Sequence, residues 1–203
     1  HRIEGIGDKH VPWIHNVKNM DVVAGIDDEA CMCLLRLFNE PAGREYLEGR
    51  GIDPALVARL DLLGISSIAN LLSAIKTARY FEMGAKDMLF TVATDSLEMY
   101  GSRFAEERER QGPYREAVAA AHHERYLLGE GIDHVLELSY WDRKRMHDLK
   151  YFTWVEQLGK TVEELDAQWY DEDYWSRQFR SHEEWDQRIA EFNERTGLLQ
   201  RYR

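Results

Sequence analysis

The stretch Met88-Leu89-Phe90-Thr91-Val92-Ala93-Thr94-Asp95-Ser96 decides how the chain is read. Met88 to Ala93 is an unbroken run without charge, entered after Gly84 and left through Asp95-Ser96, and it reads as a fully buried strand. A second run of the same character, Asp21 to Ile26 (DVVAGI), lies upstream and ends at Asp27-Asp28. Between the two runs the pattern is helical. Asp27 and Asp28 cap a helix to about Phe38. Pro41 and Gly43 interrupt it, and a second piece reaches Leu47. Pro54 opens another helix, where its missing N–H costs nothing. Ser66 and Ser67 cap a helix through Tyr80 whose apolar face is Ile68, Leu71, Leu72, Ile75 and Ala78. Strand, helix, helix, strand with continuous apolar strands predicts an α/β fold with a parallel sheet covered on both faces.

After Phe104 the strand signals stop and aromatic-rich helical stretches take over, so the chain divides on composition into 1–104 and 105–203. Leu138/Trp141 and Leu149/Phe152 are spaced i,i+3, and Trp185, Ile189 and Phe192 form an i, i+4, i+7 stripe. Trp154, Trp169 and Trp175 add apolar area. Helical spacing reads these rings as packing anchors, and their density suits a wrap around the core or around a neighbouring subunit.

Composition narrows the function classes. The chain carries a net charge of -11, and Thr161 to Glu194 holds 11 acidic against 3 basic residues, a local balance of -8. Phosphate backbones need clustered Lys and Arg, so nucleic acid is not expected as a partner. No apolar run approaches the ~20 residues that span a bilayer, so no membrane is expected either. Cys31 and Cys33 sit at C-x-C spacing, which on a helix suits neither a disulfide nor a shared metal. They read as reduced, half-buried thiols of a cytoplasmic protein. His122, His123 and His147 have no well-spaced carboxylate or cysteine, so they read as surface histidines and no metal is expected. The opening His1-Arg2-Ile3, with no leader pattern, is read as the middle of something longer.

Three segments carry the candidate chemistry. His1-Arg2-Ile3-Glu4-Gly5-Ile6-Gly7 is followed by Val11-Pro12. Gly64-Ile65-Ser66-Ser67 opens a helix. The strand ends in Thr94-Asp95-Ser96-Leu97-Glu98-Met99-Tyr100-Gly101-Ser102. Each alone is a turn or a cap. In this order and at these separations they resemble the cysteine synthase/cystathionine β-synthase type of fold type II pyridoxal-phosphate enzymes. That family has a G-I-G turn before an apolar-proline pair, a G-I-S-S helix start, and a strand ending in D-S-x-E-x-Y-x-S. The resemblance covers residues 1 to about 103. It departs at Ile68-Ala69-Asn70, where the family has small residues, and at Leu97, where it has glycine.

The resemblance implies a three-layer parallel-sheet domain like that of the tryptophan synthase β chain, a helical C-terminal extension, and pyridoxal 5'-phosphate as cofactor. It implies that the Ser96 hydroxyl meets the pyridine nitrogen, with Gly64, Ile65 and Ser66 beside the cofactor. Gly5, Ile6, Gly7 and Asp95 would border the substrate pocket. A neutral hydroxyl does not force that nitrogen to be protonated, which weakens the ring as an electron sink. Lys9, Lys18, Lys76 and Lys86 do not sit in the family's lysine context, so the Schiff-base lysine and the phosphate loop are expected upstream and the chain carries no catalytic residue of its own. The expected reaction is β-elimination or β-replacement on serine, cysteine or an O-activated serine, by a homodimer completed by its N-terminal half on the same or a separate chain. A scaffold or regulatory subunit that keeps the fold without the chemistry is the alternative. An unrelated nucleotide-binding domain is disfavoured, because no G-x-G-x-x-G or P-loop is present.

Overall fold

The computed structural model describes residues 2, 3, 6 and 10–202. Helix accounts for 64% of the described residues. By packing, the chain divides into two compact units: His1–Lys9 with Val22–Glu137, and His10–Asp21 with Leu138–Arg203.

In the first unit, β1 (Val22–Ala24) leads into α1 (Asp28–Asn39), capped by Asp27, whose Oδ1 accepts from the Glu29 amide at 2.9 Å. α1 is the core helix: every residue from Ala30 to Phe38 is buried. α2 (Pro41–Gly49) has Pro41 in its first turn, and α3 (Pro54–Val57) has Pro54 there with Asp53 as cap. A Cβ at Gly43 would run into the Leu37 carbonyl, so glycine is what lets α2 turn back so tightly on α1. α4 (Ile65–Tyr80) packs Ile65, Ile68, Ala69 and Leu72 into the same core. α5 (Gly101–Gln111) and α6 (Glu116–His123) follow, and α6 passes into a π-helical turn, Glu124–Leu128. β2 (Val135–Glu137) closes the unit by pairing antiparallel with β1, Val23 opposite Leu136.

One charged network lies inside this core. Arg36 on α1 is 1% exposed and donates to Glu40 at 3.2 and 3.3 Å and to the Gly112 carbonyl at 2.8 Å. Arg108 completes the pairing, reaching both Glu40 oxygens at 3.0 and 2.9 Å. The Tyr114 ring stacks 4.8 Å from the Arg36 guanidinium.

The expected fold class is overturned. Among the described residues, β1 and β2 are the only strands and they run antiparallel, so there is no parallel three-layer sheet. The predicted strand at Asp21–Ile26 survives as β1, but it pairs with a three-residue strand that the tail's sequence did not announce. The predicted strand at Met88–Ala93 has no regular secondary structure and joins no ladder, and Met88, Phe90 and Val92 are 78, 86 and 66% exposed. A continuous apolar run specifies a strand only where a sheet receives it on both faces, and this chain offers none there. The composition boundary at residue 104 falls inside α5 of the first unit.

In the second unit, the segment from His10 to Asp21 forms a 3-10 turn at Val17–Asn19, and α7 (Tyr140–Asp148), a π-helical turn at Tyr151–Val155, α8 (Val162–Tyr170), α9 (Tyr174–Arg180) and α10 (His182–Thr196) follow. Ser139 and Thr161 form capping boxes with Asp142 and Glu164. The aromatic tail is only partly a packing device. Trp169 is buried, Trp13 lies 6.1 Å from Trp154, and the Trp154 and Trp175 indoles donate to the Val11 and Gln168 carbonyls. Trp141, Phe152 and the whole Trp185/Ile189/Phe192 stripe are instead exposed. Among the described residues, no single helix is long and apolar enough to cross a membrane.

Candidate functional site

α4 begins at Ile65 with Gly64 in the N-cap position, and neither Ser66 nor Ser67 caps it. Both lie inside the first turn and are buried. The cap comes from Asp95, whose carboxylate accepts from the Ser66 amide at 3.1 Å, the Ser67 amide at 2.9 Å and the Ser67 hydroxyl at 2.6 Å. The Tyr100 hydroxyl donates at 2.5 Å to Asp95 Oδ2, the oxygen that also accepts from the Ser66 amide. The backbone is tied at the same place, with the Gly64 amide on the Asp95 carbonyl at 3.0 Å and the Asp95 amide on Ser67 Oγ at 3.3 Å. A Cβ on Gly64 would lie 2.6 Å from Asp95 Cγ and 2.8 Å from the Tyr100 ring, so glycine is required for the approach.

This arrangement sets the charge of Asp95. Burial works to raise its pKa. The hydroxyls of Ser67 and Tyr100 and the two amides outweigh that and hold the carboxyl below its ordinary value of 3.8. The helix dipole acts in the same direction. A carboxylate already occupies the place where the helix start would attract an anion.

The two segments expected to share a site, Gly64–Ser67 and Asp95–Tyr100, are therefore brought into contact. Ser96 sits at the edge of this cluster. It precedes the 3-10 turn Leu97–Tyr100, and its side chain caps no amide of that turn. It lines a cavity of about 460 Å³ with Asp61, Leu62, Leu97, Glu98, Gly101 and Phe104. Gly64, Ile65 and Ser66 do not line that cavity; they are buried behind Asp95. Ile6 lines a separate cavity of about 250 Å³ with Ile3, Ala24, Ile26, Ala69, Asn70 and Ser73. Gly5 and Gly7 lie outside the described residues.

Two buried lysines escaped the sequence reading. Lys76 on α4 is 3% exposed and donates to the Asp133 carbonyl at 2.8 Å, with Glu130 at 3.2 Å as counter-ion. It lines a polar cavity of about 410 Å³ with Asp27, Arg125, Glu130, Asp133 and His134. In the second unit Lys150 is fully buried. Its ammonium donates to the carbonyls of Trp13 at 3.0 Å and His15 at 2.7 Å, and to Gln168 Oε1 at 2.7 Å. Burial pushes its pKa down to about 8. The signal for Lys76 was visible as a lysine four residues after Leu72 on the buried face of α4. Lys150 had none, because two of its three acceptors, the carbonyls of Trp13 and His15, lie more than a hundred positions away in sequence.

The histidines also differ from expectation. His123 and His147 are buried, the latter bonded to the Leu165 carbonyl at 3.1 Å, and His122 is half-buried against Tyr114 at 3.0 Å. Among the described residues, no group of three or more His, Cys, Asp or Glu side chains is placed to hold a metal ion.

The resemblance to the cysteine synthase family does not hold as a family assignment: the parallel sheet it implies is missing, and a short run of matched positions specifies a helix cap equally well. No family model, curated protein or solved structure matches the chain.

Proposed function

We propose that this chain contributes one wall of a pyridoxal-phosphate site that carries out β-elimination or β-replacement on a small amino acid, the Schiff-base lysine being supplied from outside residues 1–203. The observation that carries the reading is the position of Ser96, next to the Asp95 clamp and among the residues that line the 460 Å³ cavity. The residues present fit the cofactor in part. A neutral hydroxyl among Leu62, Leu97 and Phe104 suits the nitrogen edge of a flat heteroaromatic ring. The carboxylates of Asp61 and Glu98 at the same cavity suit a cationic amino group. The phosphate finds no place here, because Asp95 fills the start of α4, and no lysine lines the cavity.

When bound, the cofactor would draw electrons from the α-carbon of the amino acid. The chain's own part is orientation. Asp95 and Tyr100 fix the backbone that carries Ser96, and Ser96 Oγ would donate to or accept from the ring nitrogen. Borohydride reduction of the native assembly, followed by peptide mass analysis, tests this. Cofactor fixed to a lysine outside residues 1–203 supports the reading; none fixed anywhere contradicts it.

A second reading, a scaffold or regulatory subunit without the chemistry, draws on Asp95 itself. A helix start closed by an internal carboxylate is complete without a ligand.

A further inference from the structure

We propose that the second unit binds a neutral sugar in the cavity lined by residues 13–19 and α9. The cavity holds about 540 Å³, within the range of small-molecule sites and large enough for a mono- or disaccharide. It shares no residue with the Ser96 cavity and stands independently of the reading given there. Its lining joins two kinds of surface. Trp13, Tyr174, Trp175 and Phe179 supply aromatic rings, and Asn16, Asn19 and Gln178 supply carboxamides. Among the described residues, no charged one lines it.

That composition selects the ligand. An anion finds no Lys or Arg in the lining, and Arg177, beside Gln178 in sequence, is paired with Asp171. A cation meets rings that are already engaged. The Lys150 ammonium lies 5.5 Å from the Trp175 ring centre and 6.0 Å from that of Trp13, and Lys160 lies 5.2 Å from Trp13. A flat base is gripped best between parallel rings, but Tyr174 and Trp175 stand edge to face at 77°. A sugar needs only one ring face for its C–H side, and its hydroxyls project outward in donor–acceptor pairs. A carboxamide sets an acceptor beside its donors and so takes two neighbouring hydroxyls at once. Among the described residues, the carboxamides of Asn19 and Gln178 have no partner. Asn16 Oδ1 accepts from the Lys18 amide at 3.2 Å, which leaves its Nδ2 to donate.

The walls are fixed before any ligand arrives. Lys150 is fully buried, and among the described residues it has no carboxylate partner. It holds the backbone of residues 13–15 through the Trp13 and His15 carbonyls and grips Gln168 Oε1. Gln168 Nε2 donates back to the Trp13 carbonyl at 3.1 Å, and the Gln168 carbonyl accepts from the Trp175 indole at 2.9 Å. One buried ammonium thus ties Trp13 and Trp175 into a single network, and such preorganisation lowers the ordering cost of binding.

The test titrates the full chain with cellobiose, maltose, lactose and N,N'-diacetylchitobiose, followed by saturation-transfer NMR and tryptophan fluorescence. Adenosine and tetramethylammonium are the competing probes. At least one disaccharide should bind with a Kd of roughly 0.1–10 mM and take up saturation mainly at its ring C–H protons. Phe179 is 79% exposed and Gln178 is exposed, so F179A and Q178A should keep the circular dichroism of the chain. Each should weaken the disaccharide about tenfold. No saturable binding of any disaccharide by about 50 mM would overturn the proposal. So would binding that both variants leave unchanged, or adenosine or tetramethylammonium binding more tightly than every disaccharide.

Discussion

Asp95 and Ser67 are 28 residues apart, yet the Asp95 carboxylate caps the Ser67 amide at 2.9 Å and also accepts from the Ser67 hydroxyl at 2.6 Å. The chain thus starts α4 with a carboxylate borrowed from well beyond the helix's own C-terminal end. The cap stands one residue before Ser96 and its cavity.

D95A should destabilise the first unit by about 1–2 kcal/mol, the cost of a lost cap, measured by urea unfolding. Because the folded carboxyl is held below 3.8, its stabilisation is complete above that value and is lost as pH falls through the lower folded value. Acid unfolding should therefore be shallower in D95N than in the native protein.

E40A should cost more, about 3–5 kcal/mol, because it leaves the Arg36 guanidinium buried without its carboxylate. Urea unfolding followed by circular dichroism reads this directly. A loss under 1 kcal/mol would mean that Gly112 and Gln111 suffice to hold Arg36.

Burial, with Asp28 and Glu29 nearby, raises the thiols of Cys31 and Cys33 to about 12 and about 11. Both should resist iodoacetamide at pH 8 in the folded chain and react fully in urea. Rapid labelling of either in the folded state would show that α1 opens.

Lys150 gives the second unit an alkaline signature. Its folded pKa of about 8 lies below its ordinary 10.5, so between those values the unfolded chain holds more protons and stability rises with pH. Thermal unfolding between pH 8 and 10.5 should show this rise in the native protein and lack it in K150M. Equal slopes in the two would place the Lys150 ammonium in contact with water.

Much of the helical plan was legible. Asp27, Pro41 and Pro54 mark helix starts through local backbone chemistry, which needs no partner from elsewhere. The apolar face of α4 was legible for the same reason. The sheet was not. Asp21–Ile26 and Met88–Ala93 have the pattern of strands, but a strand is completed by its neighbour. One found a three-residue partner at Val135–Glu137, too short to show periodicity, and the other found none. Within the candidate site, the Gly64 and Asp95 segments, read from the sequence as sharing a site, lie in contact. The cap was misplaced onto Ser66 and Ser67 because the sequence shows a serine at a helix start and not a carboxylate arriving from residue 95. The exposed stripe Trp185/Ile189/Phe192 shows the same limit: spacing defines a face and says nothing of what covers it.

The role of Ser96 is most directly tested by the visible absorption of the native assembly with added pyridoxal phosphate, compared among the native protein, S96A and S96D. The account predicts a visible band in the native assembly, a weakened one in S96A, and a shifted one in S96D, because a carboxylate there would hold a proton on the ring nitrogen. Identical spectra in all three, or no band in any, would contradict it.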